Sequence, residues 1–204
     1  MTDWVFETID RLGALGVGFL ILLENIVPPI PSEVILPLAG FRARTGELNV
    51  LAVWPAATAG SVLGALLLYG LGAWLGYDRL HRLAGKRWFV FVSQKDLERG
   101  DAVFDRHGGK VVLLARCVPF LRSVVSIPAG ISGMPLVRFT VLTAVGSGVW
   151  NAAFIALGWT LGENWEQVQG YLGPVSYVVL GLLAVGLAVL VVRRVRAREA
   201  TPSG

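Results

Sequence analysis

The chain has 204 residues, of which 54% are hydrophobic and only 16% charged, and its mean hydropathy is +0.64. That balance is too apolar for an ordinary soluble domain and reads as an integral membrane protein. A single cysteine, Cys117, leaves no disulfide framework or cysteine-based metal site, and His81 and His107 share no metal-ligand spacing, so neither a metal nor another cofactor is expected.

The N-terminus carries Asp3, Glu7 and Asp10 before its first basic residue, Arg11, and so lacks the positive n-region of a cleaved signal peptide. Trp4, Val5, Ile9 and Leu12 suit a short amphipathic helix lying on the membrane surface. The apolar stretch from Leu15 to Phe41 is of spanning length but is broken by Pro28, Pro29 and Pro31, with Glu24 and Glu33 on either side. Val50 to Tyr77 is long enough to cross a bilayer as one helix. A polar region from about 78 to 110 follows, in which Ser93 and Asp96 resemble a capping box opening a helix that His107-Gly108-Gly109 closes. Val111 to Met134 is a second broken stretch, with Arg116 and Arg122 flanking Pro119. Leu136 to Gly162 and Gly173 to Val192 are two more spans, and residues 193–204 form a basic tail.

The formal charge of +4 does not indicate nucleic acid, because 12 of the 18 Lys and Arg fall in two clusters beside apolar spans. Eight lie between Asp78 and Lys110 and four in the tail, Arg193, Arg194, Arg196 and Arg198. Such clusters mark cytoplasmic loops and attraction to anionic lipids. Both can be cytoplasmic only if Val111 to Met134 enters the membrane and returns as a hairpin; a single crossing would put them on opposite sides.

The chain also repeats. Pro29, Ala39 and Gly40 recur 90 residues later as Pro119, Ala129 and Gly130, and at an offset of 86 the stretch Gly60 to Gly76 matches Gly146 to Gly162 at six of 17 positions. One unit of hairpin plus span crosses the membrane an odd number of times, so the second copy is inverted relative to the first. The expected fold is therefore an all-α integral membrane protein, an inverted repeat of two re-entrant helical hairpins, each followed by a transmembrane helix, plus a C-terminal transmembrane helix. A single membrane domain would run from 1 to 192.

Each hairpin carries two charges of one sign around its proline break. A charge at the bilayer centre costs about 2.5 to 3.5 kcal/mol. Four left alone would cost roughly 10 to 14 kcal/mol, comparable to the ~5 to 15 kcal/mol stability of a whole domain. They must pair, face a wet cavity, or both. Two buried ion pairs serving only as glue is the plain alternative, but such pairs seldom add stability over apolar replacements. The chemistry that fits is capture of a phosphate by the guanidinium forks of Arg116 and Arg122, with Glu24 and Glu33 holding the arginines when the site is empty or taking up protons. Asn151, in mid-span, is expected either to bond a hairpin carbonyl or to pack between helices. The glycine pairs Gly60/Gly64, Gly72/Gly76 and Gly158/Gly162 suit close helix contacts, within one protomer or across a homo-oligomer face.

Glu24-Asn25, Pro31-Ser32-Glu33, Phe104, Gly108, Arg116-x-x-Pro119-x-x-Arg122, Ala129-Gly130 and Met134 together resemble the DedA family of bacterial inner-membrane proteins, relatives of the eukaryotic VTT-domain lipid scramblases. Ser32 stands where the family commonly has Gly, and Cys117 where an aromatic often follows the first Arg. The resemblance implies two opposed re-entrant hairpins and the movement of phosphate-headed lipids, undecaprenyl phosphate or a phospholipid, across the inner membrane, with Glu24, Glu33, Arg116 and Arg122 as the functional acids and arginines. The expected partners are that lipid substrate and the surrounding membrane lipids. The alternatives are a proton-coupled small-ion or osmolyte exchanger for pH or membrane-potential homeostasis, and a membrane phosphatase drawing on Ser123, Ser126 or Cys117.

Overall fold

The structure is a computed structural model that describes residues 3–26, 32–84, 94–118 and 121–161. The final expected span, Gly173 to Val192, and the basic tail lie outside the described residues. Those residues are helical throughout, with no strand among them: α1 (Asp3–Leu12), α2 (Ala14–Ile26), α3 (Ser32–Arg44), α4 (Val50–Leu75), α5 (Tyr77–Ala84), α6 (Gln94–Ala115), α7 (Leu121–Val124), α8 (Ser126–Ile131) and α9 (Leu136–Leu161).

Helices α4 and α9 have 26 residues each and mean hydropathies of 1.8 and 1.5 over their most apolar windows. At 1.5 Å per residue each is about 39 Å long, enough to cross a hydrocarbon core of about 30 Å. Asn49 starts α4 by accepting a hydrogen bond from the Leu51 amide at 2.9 Å, and Gly76, at φ +65°, ends it in a conformation that suits glycine. The outward face of α4 presents Leu63, Leu67, Leu71 and Trp74, and that of α9 presents Val137, Val141, Val145 and Val149, all exposed. Two apolar stripes at spacings of three and four residues suit lipid and are unfavourable in water.

The shorter helices fold against these two. Helix α2 begins beside the turn at 45–49, where Gly13 meets Leu48, and continues along the first half of α4: Gly18 meets Ala56 and Gly60, and Asn25 meets Gly64. Helix α3 then returns to the end where α2 began, since only residues 45–49 separate it from α4. The last turns of α6 lie along the first half of α9 in the same manner, with Gly109 against Arg138 and Arg116 against Gly146, and α8 returns to the start of α9 through residues 132–135.

The two halves interlock reciprocally. Gly40 of α3 abuts the Ile155 carbonyl of α9, and Gly158 of α9 abuts the Pro37 carbonyl of α3. Gly130 of α8 abuts the Tyr69 carbonyl of α4, and Gly72 of α4 abuts the Ile127 carbonyl of α8. Gly130 and Ile127 lie 90 residues after Gly40 and Pro37; Ile155 and Gly158 lie 86 after Tyr69 and Gly72. Each contact leaves no room for a Cβ, so Gly60, Gly64, Gly72 and Gly158 pack against their own chain.

Two expectations change. Helix α6 runs unbroken through His107-Gly108-Gly109 into the start of the second broken stretch, because Gly108 and Gly109 provide clearance for Phe104 and Arg138 rather than a stop. Helix α1 buries Val5 and Ile9 in the protein core beside Val17, Leu20 and Ile35, leaving Trp4 and Leu12 exposed, so its apolar face packs on protein more than on lipid.

The interlock is testable. Gly40→Ala and Gly130→Ala should each destabilise the detergent-solubilised protein by ~1–3 kcal/mol in thermal unfolding, while Gly70→Ala, with open space at its Cβ, should be nearly silent. Equal stability of all three variants would contradict the close approach.

Candidate functional site

Helix α2 ends with Glu24-Asn25-Ile26 and α3 begins with Ser32-Glu33, so the polar residues of the first broken stretch flank the break. Arg116 just beyond α6, Arg122 and Ser123 on α7 and Ser126 on α8 occupy the corresponding place in the second. Pro29, Pro31 and Pro119, expected to support the breaks, lie outside the described residues. The two groups meet.

Arg122 donates from Nη2 both to Glu24 Oε1 and to Ser32 Oγ, the latter at 2.6 Å. Ser123 Oγ donates to Asn25 Oδ1 at 3.4 Å, while Asn25 Nδ2 donates to the Ile21 carbonyl of its own helix at 2.9 Å. The bonds of Arg122 and Ser123 join the first broken stretch to the second across 90 or more residues of sequence. Glu24 is 8% exposed and Arg122 4%, so this is a desolvated pair with little solvent screening.

Arg116 is different. It is 1% exposed and has no carboxylate partner among the described residues. Its Nη2 donates to Ser126 Oγ at 2.8 Å, its guanidinium lies 5.6 Å from the Phe139 ring centre, and its Nε has no partner. The missing side chain of Gly146 makes room for its stem, since a Cβ there would come within 2.7 Å of Arg116 Cβ. Arg116 and Arg122 are close enough to repel each other. With Glu24 they form a buried cluster of net charge +1, in which the cation of Arg116 is held by a hydroxyl and an aromatic face alone.

The expected pattern of two acids answering two arginines is therefore only half present. Glu24 pairs with Arg122, whereas Glu33 sits half-buried in the first turn of α3 with no ion-pair partner among the described residues, in a favourable position for a carboxylate at a helix N-terminus. Asn151 is buried but does not reach a hairpin carbonyl: its Nδ2 donates to Thr58 Oγ1 at 3.4 Å and Ser61 Oγ at 3.3 Å on α4. Gly130 acts in packing, against Tyr69. Ser32, legible in the sequence as part of the Pro31-Ser32-Glu33 turn, and Ser126, legible as a hydroxyl near the arginines, accept from Arg122 and Arg116 respectively. Among the described residues no three His, Cys, Asp or Glu side chains gather as a metal site would require.

Residues 30–160 match the VTT domain. The chain is 40% identical to an alkaline phosphatase-like protein of Lactococcus lactis subsp. cremoris, over 95% of this chain and 94% of the relative. It is 32% identical to undecaprenyl phosphate transporter A of Staphylococcus aureus, over 98% of each, and 30% identical to inner membrane protein YghB of Escherichia coli K12, over 80% of this chain and 78% of the relative. No solved structure matches it.

Removing one partner of a buried ion pair leaves the other charge stranded, at about 3 to 5 kcal/mol. Glu24→Ala should lower stability by that amount, and adding Arg122→Met should recover part of it. A chemical-unfolding double-mutant cycle in detergent checks this; strictly additive losses would show that the pair is not coupled.

Proposed function

The chain belongs to the DedA family of VTT-domain membrane proteins, and on that premise we propose that it translocates a phosphate-headed lipid across the bacterial inner membrane, with undecaprenyl phosphate as the leading candidate. The observation that carries this reading is Arg116, a buried guanidinium with an open Nε beside a second arginine that is already engaged. A phosphate monoester carries about −1.5 to −2 charges at pH 7 and offers several acceptor oxygens. It is the complement of a buried +1 cluster with unanswered donors. Arg116 takes the phosphate first, and a second bond from Arg122 forms when the phosphate competes with Glu24. No covalent step is required. The name of the Staphylococcus aureus relative agrees with this chemistry.

The reciprocal packing supports an inverted repeat in which α2–α3 and α6–α8 are re-entrant hairpins entering from opposite faces, with α4 and α9 as the flanking spans. On that reading the basic region at 78–110 and the basic tail face the cytoplasm, and the charged cluster lies near the midplane. An apolar groove of about 280 Å³ between the start of α4 and the last turns of α9, lined by Val50, Trp54, Ala152, Ile155, Ala156 and Trp159, offers the lipid tail a seat. Coupling to protons through Glu24, and to a lesser extent Glu33, completes the proposal.

A second reading, hydrolysis of a lipid phosphate, is favoured by the name of the Lactococcus relative. The hydroxyls nearest the arginines are engaged: Ser126 accepts from Arg116, and Ser123 donates to Asn25.

Liposomes reconstituted with the protein and carrying labelled undecaprenyl phosphate in one leaflet separate these readings. Wild type should equilibrate the label between leaflets, and Arg116→Ala or Arg122→Ala should slow it by about 100-fold, the effect of losing ~2.7 kcal/mol of charge-assisted binding. Equal rates for wild type and variants would overturn the translocase, and release of inorganic phosphate would establish the enzyme. Proton flux without movement of the label would instead favour an ion exchanger.

A further inference from the structure

The two halves of the protein fill the same core positions with different side chains. At the 86-residue offset that relates α4 to α9, Phe139 corresponds to Val53 and Ile155 to Tyr69. Val53 and Ile155 belong to one buried cluster, with Ile35 and Leu36 of α3, and Phe139 and Tyr69 belong to the matching cluster around Ala129 of α8. An aliphatic pair satisfies this packing in the first half, so two rings in the second are more than the shared packing requires. What distinguishes the second half is Arg116, whose counterpart at the 90-residue offset of the broken stretches is Ile26.

Phe139 is fully buried, and its ring centre lies 5.6 Å from the Arg116 guanidinium. Tyr69 stands beside it, with ring centres 4.8 Å apart and planes tilted by 32°. Tyr69 is itself fixed twice: its hydroxyl donates to the Met134 carbonyl at 2.6 Å, and its backbone carbonyl abuts Gly130. The Phe139 ring therefore has little freedom to leave the cation. An aromatic face attracts a cation through its quadrupole and consumes none of the N–H donors of a guanidinium. A carboxylate would hold the same charge but take up those donors, as Glu24 does with Arg122. Arg42 combines the two modes, since it lies over the Phe6 ring at 5.8 Å and also pairs with Asp10.

We propose that Phe139, braced by Tyr69, is a positioning residue of the phosphate site, which holds Arg116 in place of a carboxylate and so keeps its donors for the lipid phosphate. Without the ring's attraction the guanidinium would be drawn toward Glu24, whose Oε2 has no partner, and would spend its donors there. With the ring in place the anion meets a cation that is already arranged, and the ordering cost of binding falls. The inference rests on the proposed binding of phosphate at Arg116, but it concerns what holds that arginine ready.

Titration calorimetry of the full chain in detergent micelles with dodecyl phosphate, a phosphate monoester with an apolar tail, tests this. Fluorine withdraws charge from a ring face with little change of shape. Phenylalanine at 139 carrying one, two and three fluorines should therefore bind the probe progressively more weakly, by about tenfold with three, and Phe139→Leu should match the trifluoro ring. Tyr69→Phe, which loses only the bond to Met134, should weaken binding by about threefold. A ring that serves packing alone would leave the affinity constant across the fluorine series even where thermal unfolding shifts. That result, or tighter binding with added fluorine, would overturn the positioning role while binding still depends on Arg116. Failure of the phosphate site shows separately, as wild type that does not bind the probe or Arg116→Ala that binds it equally well, and it overturns the positioning role as well.

Discussion

The buried ion pair between Glu24 and Arg122 is the interaction on which the rest of the molecule depends. It joins the ends of two helical segments, each too short to cross a membrane, and lies where water does not screen it. Two charges in such a place are tolerable only when their partners are held firmly, because the desolvation penalty is otherwise uncompensated. The surrounding packing supplies that restraint. Glycines at 40, 72, 130 and 158 let the returning arms approach the spans of the opposite half at backbone distance, and Ser32 and Asn25 fix the pair from the side.

That rigidity gives the two arginines different roles. Arg122 is charge-neutralised at rest, whereas Arg116 lies on Ser126 and Phe139 with a donor to spare. A site with one committed and one open cation can admit an anion without first breaking an ion pair, then exchange its carboxylate for phosphate. In the proposed mechanism binding is also tied to the protonation of Glu24, since neutralising that acid would remove the competitor. The exposed stripes of leucine and valine and the groove beside Trp54 would leave the tail of the proposed lipid in an apolar medium.

Much of this was legible in the sequence, for local reasons. The two uninterrupted apolar helices among the described residues follow from hydropathy, and the helix ends at Ile26 and Ala115 from the residue types around them. The 90- and 86-residue offsets read in the sequence also relate the Gly40–Ile155 contact to the Gly130–Tyr69 contact, although neither contact itself was legible. Which acid meets which arginine was not legible: it depends on the rotation of α2 and α3 about their axes, and that is set by contacts with α4 and α9. That Ser32 and Ser126 bind the arginines was not legible for the same reason, as serine is common near helix starts whatever it binds. The glycines at 108 and 109 misled because the same residue that ends a helix also makes room for a neighbour, here Phe104 and Arg138.

The central claim is that two segments entering from opposite faces of the membrane meet at the Glu24–Arg122 pair. Its most direct test is sidedness labelling in sealed, oriented membrane vesicles, with single cysteines at Glu47, in the turn after α3, and at Pro135, in the turn after α8, in a Cys117→Ser background. An impermeant maleimide should reach the two positions from opposite sides. Labelling of both from the same side would contradict the opposed arrangement and with it the account of the site.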